Sequence, residues 1–112
     1  YKERFTIKIV ASIKMIETNM ISCFYSANKG TYCRCSDQHD YLLDLSLDQI
    51  EQLVDPNLFF RINRSQLINI KHIKEIAIHS NSRLRVYLHH DQQTDMIVSR
   101  EKVNDFKKWL DR

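Results

Sequence analysis

The chain has 112 residues, 43% of them apolar and 28% charged, the size and composition of a single globular domain that can build its core without disulfides. No apolar run approaches the roughly 20 residues of a membrane span, and the polar start Tyr1-Lys2-Glu3-Arg4 is not a signal peptide. The expectation is one cytoplasmic domain over residues 1–112, excised from a longer protein because no Met opens it.

The formal net charge is +3 and unevenly spread: residues 1–57 carry −2 and residues 58–112 carry +5. A basic excess in the second half is compatible with a polyanionic partner. An odd number of cysteines, Cys23, Cys33 and Cys35, argues against a secreted disulfide framework. Glycine occurs once, at Gly30, which excludes a glycine-rich phosphate loop.

In chain order, Phe5–Val10 alternates apolar and polar residues as a half-buried strand does. A short connection at Ala11-Ser12 leads to a strand at Ile13–Ile16. After a turn at Glu17–Met20, Ile21–Ser26 and Thr31–Cys35 read as a hairpin joined by Asn28-Lys29-Gly30, with Gly30 free to take positive φ. Asp37–Asp40 turns into a strand at Tyr41–Asp44. Ser46 and Gln49 have the spacing of a capping box, opening a helix whose apolar face is Leu47, Ile50, Leu53 and Val54 and which Asp55-Pro56 stops. Further strands are expected at Ile73–Ile78, Arg83–His89 (Leu84, Val86 and Leu88 inward) and Asp95–Val98, with turns at Asn81-Ser82 and Asp91–Gln93. A last helix, capped by Ser99, puts Val103, Phe106 and Leu110 on one face with Trp109 beside it. The pattern is a β-rich domain with two short helices.

Cys33 and Cys35 share a strand face, but two thiols make a weak metal signal, and small core residues are the favoured reading. His89 and His90 point to opposite strand faces and, with Asp91 and Asp95, read as a solvated strand end. His39, His72 and His79 have no triad pattern around them. The carboxylates are scattered and no nucleophile motif is present, so neither catalysis nor a cofactor is expected.

The informative stretch is Phe59-Phe60-Arg61-Ile62-Asn63-Arg64-Ser65-Gln66-Leu67-Ile68-Asn69-Ile70. It mixes core anchors with planar and hydroxyl heads suited to phosphates and base edges. The bland alternative is a strand or irregular segment whose polar groups tie down loops. The run resembles the signature of the LytTR DNA-binding domain, the output module of the LytR/AlgR family of bacterial response regulators. Phe60, Arg61, Ile62, Asn63, Arg64, Ser65, Ile68, Asn69 and Ile73 stand in the family's order. Ser46-Leu47 resembles its first helix start and Val98-Ser99-Arg100 its closing motif. Asn63 stands where many members have His.

The resemblance implies an elongated fold of small stacked antiparallel sheets with two short helices. It implies DNA binding through loops and strand edges, with no recognition helix. Carried over from the family, the contacts are Asn28, Lys29 and Thr31, by position in the loop between two early strands; then, by matched motif, Asn63 and Arg64; then Arg100, with Lys102 nearby. Arg64 and Arg100 suit guanine or phosphate, Asn28 and Asn63 an adenine edge or a phosphate, and Lys29 and Lys102 phosphates. Free N–H groups at the helix start by Ser99 would favour phosphate there. Arg61 is open between DNA contact and bracing of a carboxylate or the core edge. The implied partners are double-stranded DNA with paired direct repeats, a second protomer on that DNA, an upstream receiver domain and a sensor kinase. The competing function is a protein-interaction or ligand-sensing module that keeps the fold without binding DNA.

Overall fold

The computed structural model describes residues 1–79, 82–90 and 95–112. Strand β1 (Arg4–Ile9) pairs antiparallel with β2 (Ser12–Glu17). The alternation puts Phe5, Ile7 and Ile16 on the buried face. A 3-10 turn at Thr18–Met20 leads into β3 (Ile21–Ala27), β4 (Gly30–Cys35) and β5 (Asp40–Leu43). Helix α1 (Leu47–Leu53) follows. The informative stretch then forms a hairpin, β6 (Phe59–Asn63) and β7 (Gln66–Asn69), with Arg64-Ser65 at its turn. Strands β8 (Ile73–His79) and β9 (Arg83–Leu88) make a second outlying hairpin. A 3-10 turn at Arg100–Lys102 runs into helix α2 (Val103–Leu110).

The central sheet has the antiparallel order β5-β4-β3-β7-β6. Because successive strand residues face opposite ways, it feeds two cores. Phe24, Cys33 and Leu67 join Phe5, Ile7 and Ile50 under the β1–β2 hairpin and α1. Cys23, Ile62 and Ile68 join Val86, Met96 and Phe106 under the β8–β9 hairpin and α2. This three-layer arrangement gives an elongated molecule of 48 × 28 × 24 Å. Phe60 packs at 5.3 Å from Phe106 and 5.2 Å from Trp109. Trp109 Nε1 donates to the Pro56 carbonyl at 2.8 Å, so α2 is fastened beside the hairpin.

The capping box at Ser46 forms as expected, with Gln49 N donating to Ser46 Oγ at 3.1 Å and Ser46 N to Gln49 Oε1 at 2.8 Å. Leu47, Ile50 and Val54 are buried, while Leu53 is partly exposed. Other expectations change. Asp95–Val98 is not a strand among the described residues; it makes one bridge, Ile97 to Arg85, and buries Met96 and Val98. Ser99 does not cap by its side chain; a 3-10 turn intervenes before α2, and Ser99 N donates instead to the Ile62 carbonyl at 2.8 Å. Positive φ at the β3–β4 turn falls on Asn28 (50°) and Lys29 (65°), not on Gly30, as in a two-residue type I′ turn. Gly30 serves a close approach: a Cβ there would lie 3.0 Å from Leu42 Cδ1 and 3.3 Å from the Tyr32 ring. Asn81 and Asp91–Gln93 lie outside the described residues.

Candidate nucleic-acid interface

Antiparallel pairing decides which turns meet. β3 ends beside the start of β7, with Tyr25 opposite Gln66, and Ser26 N donates to the Ser65 carbonyl at 2.9 Å. The Asn28-Lys29 turn and the Arg64-Ser65 turn therefore occupy the same end of the central sheet. The bond from Ser99 N to the Ile62 carbonyl brings the Ser99–Lys102 segment to that end as well. Arg61, Asn63, Arg64, Ser65, Ser99 and Lys102 line one open depression of about 630 Å³, together with Asp48, Glu51 and Glu101.

The expected contact residues, of which Asn63, Arg64 and Lys102 line this depression, differ in how free they are. Arg64 and Arg100 are exposed, and no hydrogen bond or ion pair engages either side chain among the described residues. Asn28 and Lys29 are exposed at their turn. Lys102 is half-buried and donates one bond, Nζ to the Arg61 carbonyl at 3.1 Å, leaving two protons of its ammonium.

Asn63 is occupied. Its Oδ1 accepts from Ser65 N at 2.9 Å and Ser65 Oγ at 3.1 Å, and its Nδ2 donates to Gln66 Oε1 at 2.8 Å and to the Ile97 carbonyl at 2.9 Å. An amide has two donors and two acceptor sites, so all four are used inside the protein. Gln66 Nε2 extends the staple to the Asp95 carbonyl at 3.0 Å. Asn63 thus holds the Arg64 turn and ties it to the segment leading to Arg100. Thr31 is buried, 8% exposed, on the β4 face shared with Cys33 and Cys35, and offers almost no surface to a partner.

Arg61, left open by the sequence, is a brace. Its Nη1 donates to Asp48 Oδ1 and Glu51 Oε1, each at 2.9 Å, its Nε to the Asn63 carbonyl at 2.9 Å and its Nη2 to the Arg64 carbonyl. Asp48 and Glu51, the carboxylates that sequence reasoning passed over, had a detectable signal. They are three apart on a helix with capped start, hence on one face.

Beside the Asn28-Lys29 turn, Tyr25 stacks on Tyr32 with ring centroids 5.3 Å apart. The Arg34 guanidinium grips both Asp40 oxygens at 2.9 Å, and Tyr25 Oη donates to Asp40. Burial opposes ionisation of Asp40, but Arg34 and Tyr25 outweigh it and hold the carboxyl below its ordinary range. Burial first, then the bond to Asp40, pushes the Tyr25 phenol up to about 12. Among the described residues no three His, Cys, Asp or Glu side chains converge as a metal site, and His89 and His90 are exposed.

The family model of the LytTr DNA-binding domain matches residues 11–111. The chain belongs to the LytTr DNA-binding domain family. It is 38% identical over 69 residues to the transcriptional regulatory protein LytR of Staphylococcus aureus (strain N315), an alignment covering 62% of this chain and 27% of LytR. It is 26% identical over 110 residues to the transcriptional regulatory protein YpdB of Escherichia coli O6:H1, covering 97% of this chain and 44% of YpdB. The chain therefore spans less than half the length of these relatives. A solved LytTr DNA-binding domain from Bacillus cereus superposes with a TM-score of 0.86 at 23% identity, covering 98% of both chains. The LytTr architecture of small antiparallel sheets with two helices is thus the fold of this chain. DNA binding is the activity of its family, of the kind used by transcriptional regulators. No helix among the described residues is long and apolar enough to cross a membrane.

Proposed function

We propose that this LytTr domain reads double-stranded DNA sequence-specifically as the output module of a two-component response regulator. Arg64 and Arg100 act as base or phosphate forks, and Asn28, Lys29 and Lys102 act as backbone contacts. The observation that carries the reading is the convergence of three separate turns at one end of the sheet. Among the described residues, the exposed side chains of Lys29, Arg64 and Arg100 have no hydrogen-bond or ion-pair partner there, while Asn63 and Arg61 are spent on holding the frame. Asn63 therefore contributes to recognition through the turn it fixes, and Thr31 through the sheet.

LytR and YpdB extend well beyond the matched domain, which leaves room for a further domain in such a regulator; by analogy with the family, that domain is a receiver phosphorylated by a sensor kinase, and the regulator is cytoplasmic and not an enzyme. Two protomers on paired direct repeats follow from the same analogy. Selection of bound duplexes from a random pool by the domain at stated salt tests the reading. Enrichment of a motif, repeated at helical spacing if two protomers bind, is expected. No enrichment even at low salt would overturn sequence-specific binding and favour an interaction or sensing module.

A further inference from the structure

Asp48 and Glu51 sit in the depression beside Arg64 and Lys102, where carboxylates repel phosphate. Their side chains are 89% and 40% exposed, whereas that of Arg61 between them is only 11% exposed. All three guanidinium nitrogens of Arg61 are engaged: one on the two α1 carboxylates, the other two on the Asn63 and Arg64 backbone carbonyls. Those carbonyls belong to the turn that carries Arg64.

We infer that Arg61 is a positioning residue for Arg64, and that Asp48 and Glu51 are there to neutralise Arg61 and keep its planar fork on the turn backbone. The inference rests on the reading of Arg64 as a DNA contact. A guanidinium can bridge two carboxylates and two carbonyls because its donors are fixed in one plane; an ammonium on a flexible stem cannot reproduce that fork. The acids also explain why the arginine does not swing out to a phosphate: its charge is already paired inside the frame.

The test uses the whole domain with its selected duplex and an unrelated duplex, read by fluorescence anisotropy over a salt series. Thermal melts check folding. Arg61→Lys keeps the charge and loses the fork; it is expected to weaken the selected duplex by about 10-fold, part of a bidentate base contact, and to leave the unrelated duplex unchanged. Arg61→Gln should match it with an unaltered salt slope. The double variant Asp48→Asn with Glu51→Gln touches exposed side chains only, so it stays informative if the Arg61 variants melt. It is expected to bind unrelated DNA more tightly while its preference for the selected duplex falls several-fold. Wild-type preference in Arg61→Lys or in the double variant overturns the inference. So does a salt slope lowered by about one in Arg61→Gln, which is the signature of a direct phosphate contact. If the wild-type domain itself shows no preference, the reading of Arg64 fails and this inference fails with it. If wild type and all variants share one preference, only the positioning role falls.

Discussion

Replacing Asn63 by Ala separates a holder from a reader. The substitution removes four hydrogen bonds, two accepted from Ser65 and two donated to Gln66 and the Ile97 carbonyl. Each is worth about 1 kcal/mol net, but the site is half-buried and water can re-satisfy the Ser65 groups. A total loss of about 2 to 3 kcal/mol is therefore expected, a large share of the roughly 5 to 15 kcal/mol of a typical domain. At this size that lowers the melting temperature by about 10 °C. Urea unfolding followed by Trp109, the only tryptophan and 8% exposed, should show a lower midpoint at an unchanged slope. Affinity for the selected duplex should also fall, with the loss spread over the bases read from the Arg64 turn and the Arg100 segment. Asn63→Asp should destabilise at least as much at neutral pH. One carboxylate oxygen would face the Ile97 carbonyl, which raises the carboxyl's folded-state pKa, so part of the loss should be recovered as pH falls. An unchanged melting temperature in Asn63→Ala, with a loss confined to one base pair, would refute the holding role and make Asn63 the reader.

Arg64→Ala and Arg100→Ala should each cost about 1 to 3 kcal/mol on the selected duplex if they read bases; equal anisotropy curves for both variants and wild type would remove them from the interface. Lys29→Ala should weaken all duplexes alike and lower the salt slope by about one, whereas a loss restricted to one sequence would contradict a phosphate role. The depressed Asp40 carboxyl contributes stability that is complete above the unfolded carboxylate range and lost as pH falls through the lower folded value. Asp40→Asn should therefore flatten the acid limb of a urea-midpoint profile, and an acid limb as steep as wild type would show that the Arg34–Asp40–Tyr25 cluster does not titrate with folding.

What was legible in the chain was local. Alternation placed Leu84, Val86 and Leu88 inward, and the Ser46–Gln49 spacing fixed the start of α1, because both depend on neighbours within a few residues. What was hidden depended on distant partners. The carbonyl that occupies Asn63 lies 34 residues away, at Ile97, and the carboxylates that occupy Arg61 lie 10 and 13 residues upstream. From composition, both side chains look like ligand-facing heads. Asp95–Val98 has the apolar run Met96-Ile97-Val98 expected of a strand, but Met96 and Val98 are buried without a full ladder, since burying them needs only one bridge to β9. Ser99 has the residue type of a cap, yet its backbone is drawn to Ile62 and the chain tightens into a 3-10 turn first.

Partnering sorts the eight arginines more sharply than sequence position does. Arg4, Arg34, Arg61 and Arg85 are paired with carboxylates, and Arg112 is bonded to Asn57 and Trp109. Arg64 and Arg100, matched to family motifs, have no side-chain partner among the described residues, and Arg83 shares that state. Val98 N donates to the Leu84 carbonyl at 2.9 Å, so exposed Arg83 starts β9 next to the segment that runs into Ser99 and Arg100. If Arg100 contacts DNA as proposed, a guanidinium at Arg83 can meet a phosphate flanking that contact. Arg83→Ala should then lower the salt slope by about one and weaken selected and unrelated duplexes equally, with no change in base preference. A slope equal to wild type would place β9 off the duplex and confine the proposed contact surface to the three turns that meet at one end of the central sheet.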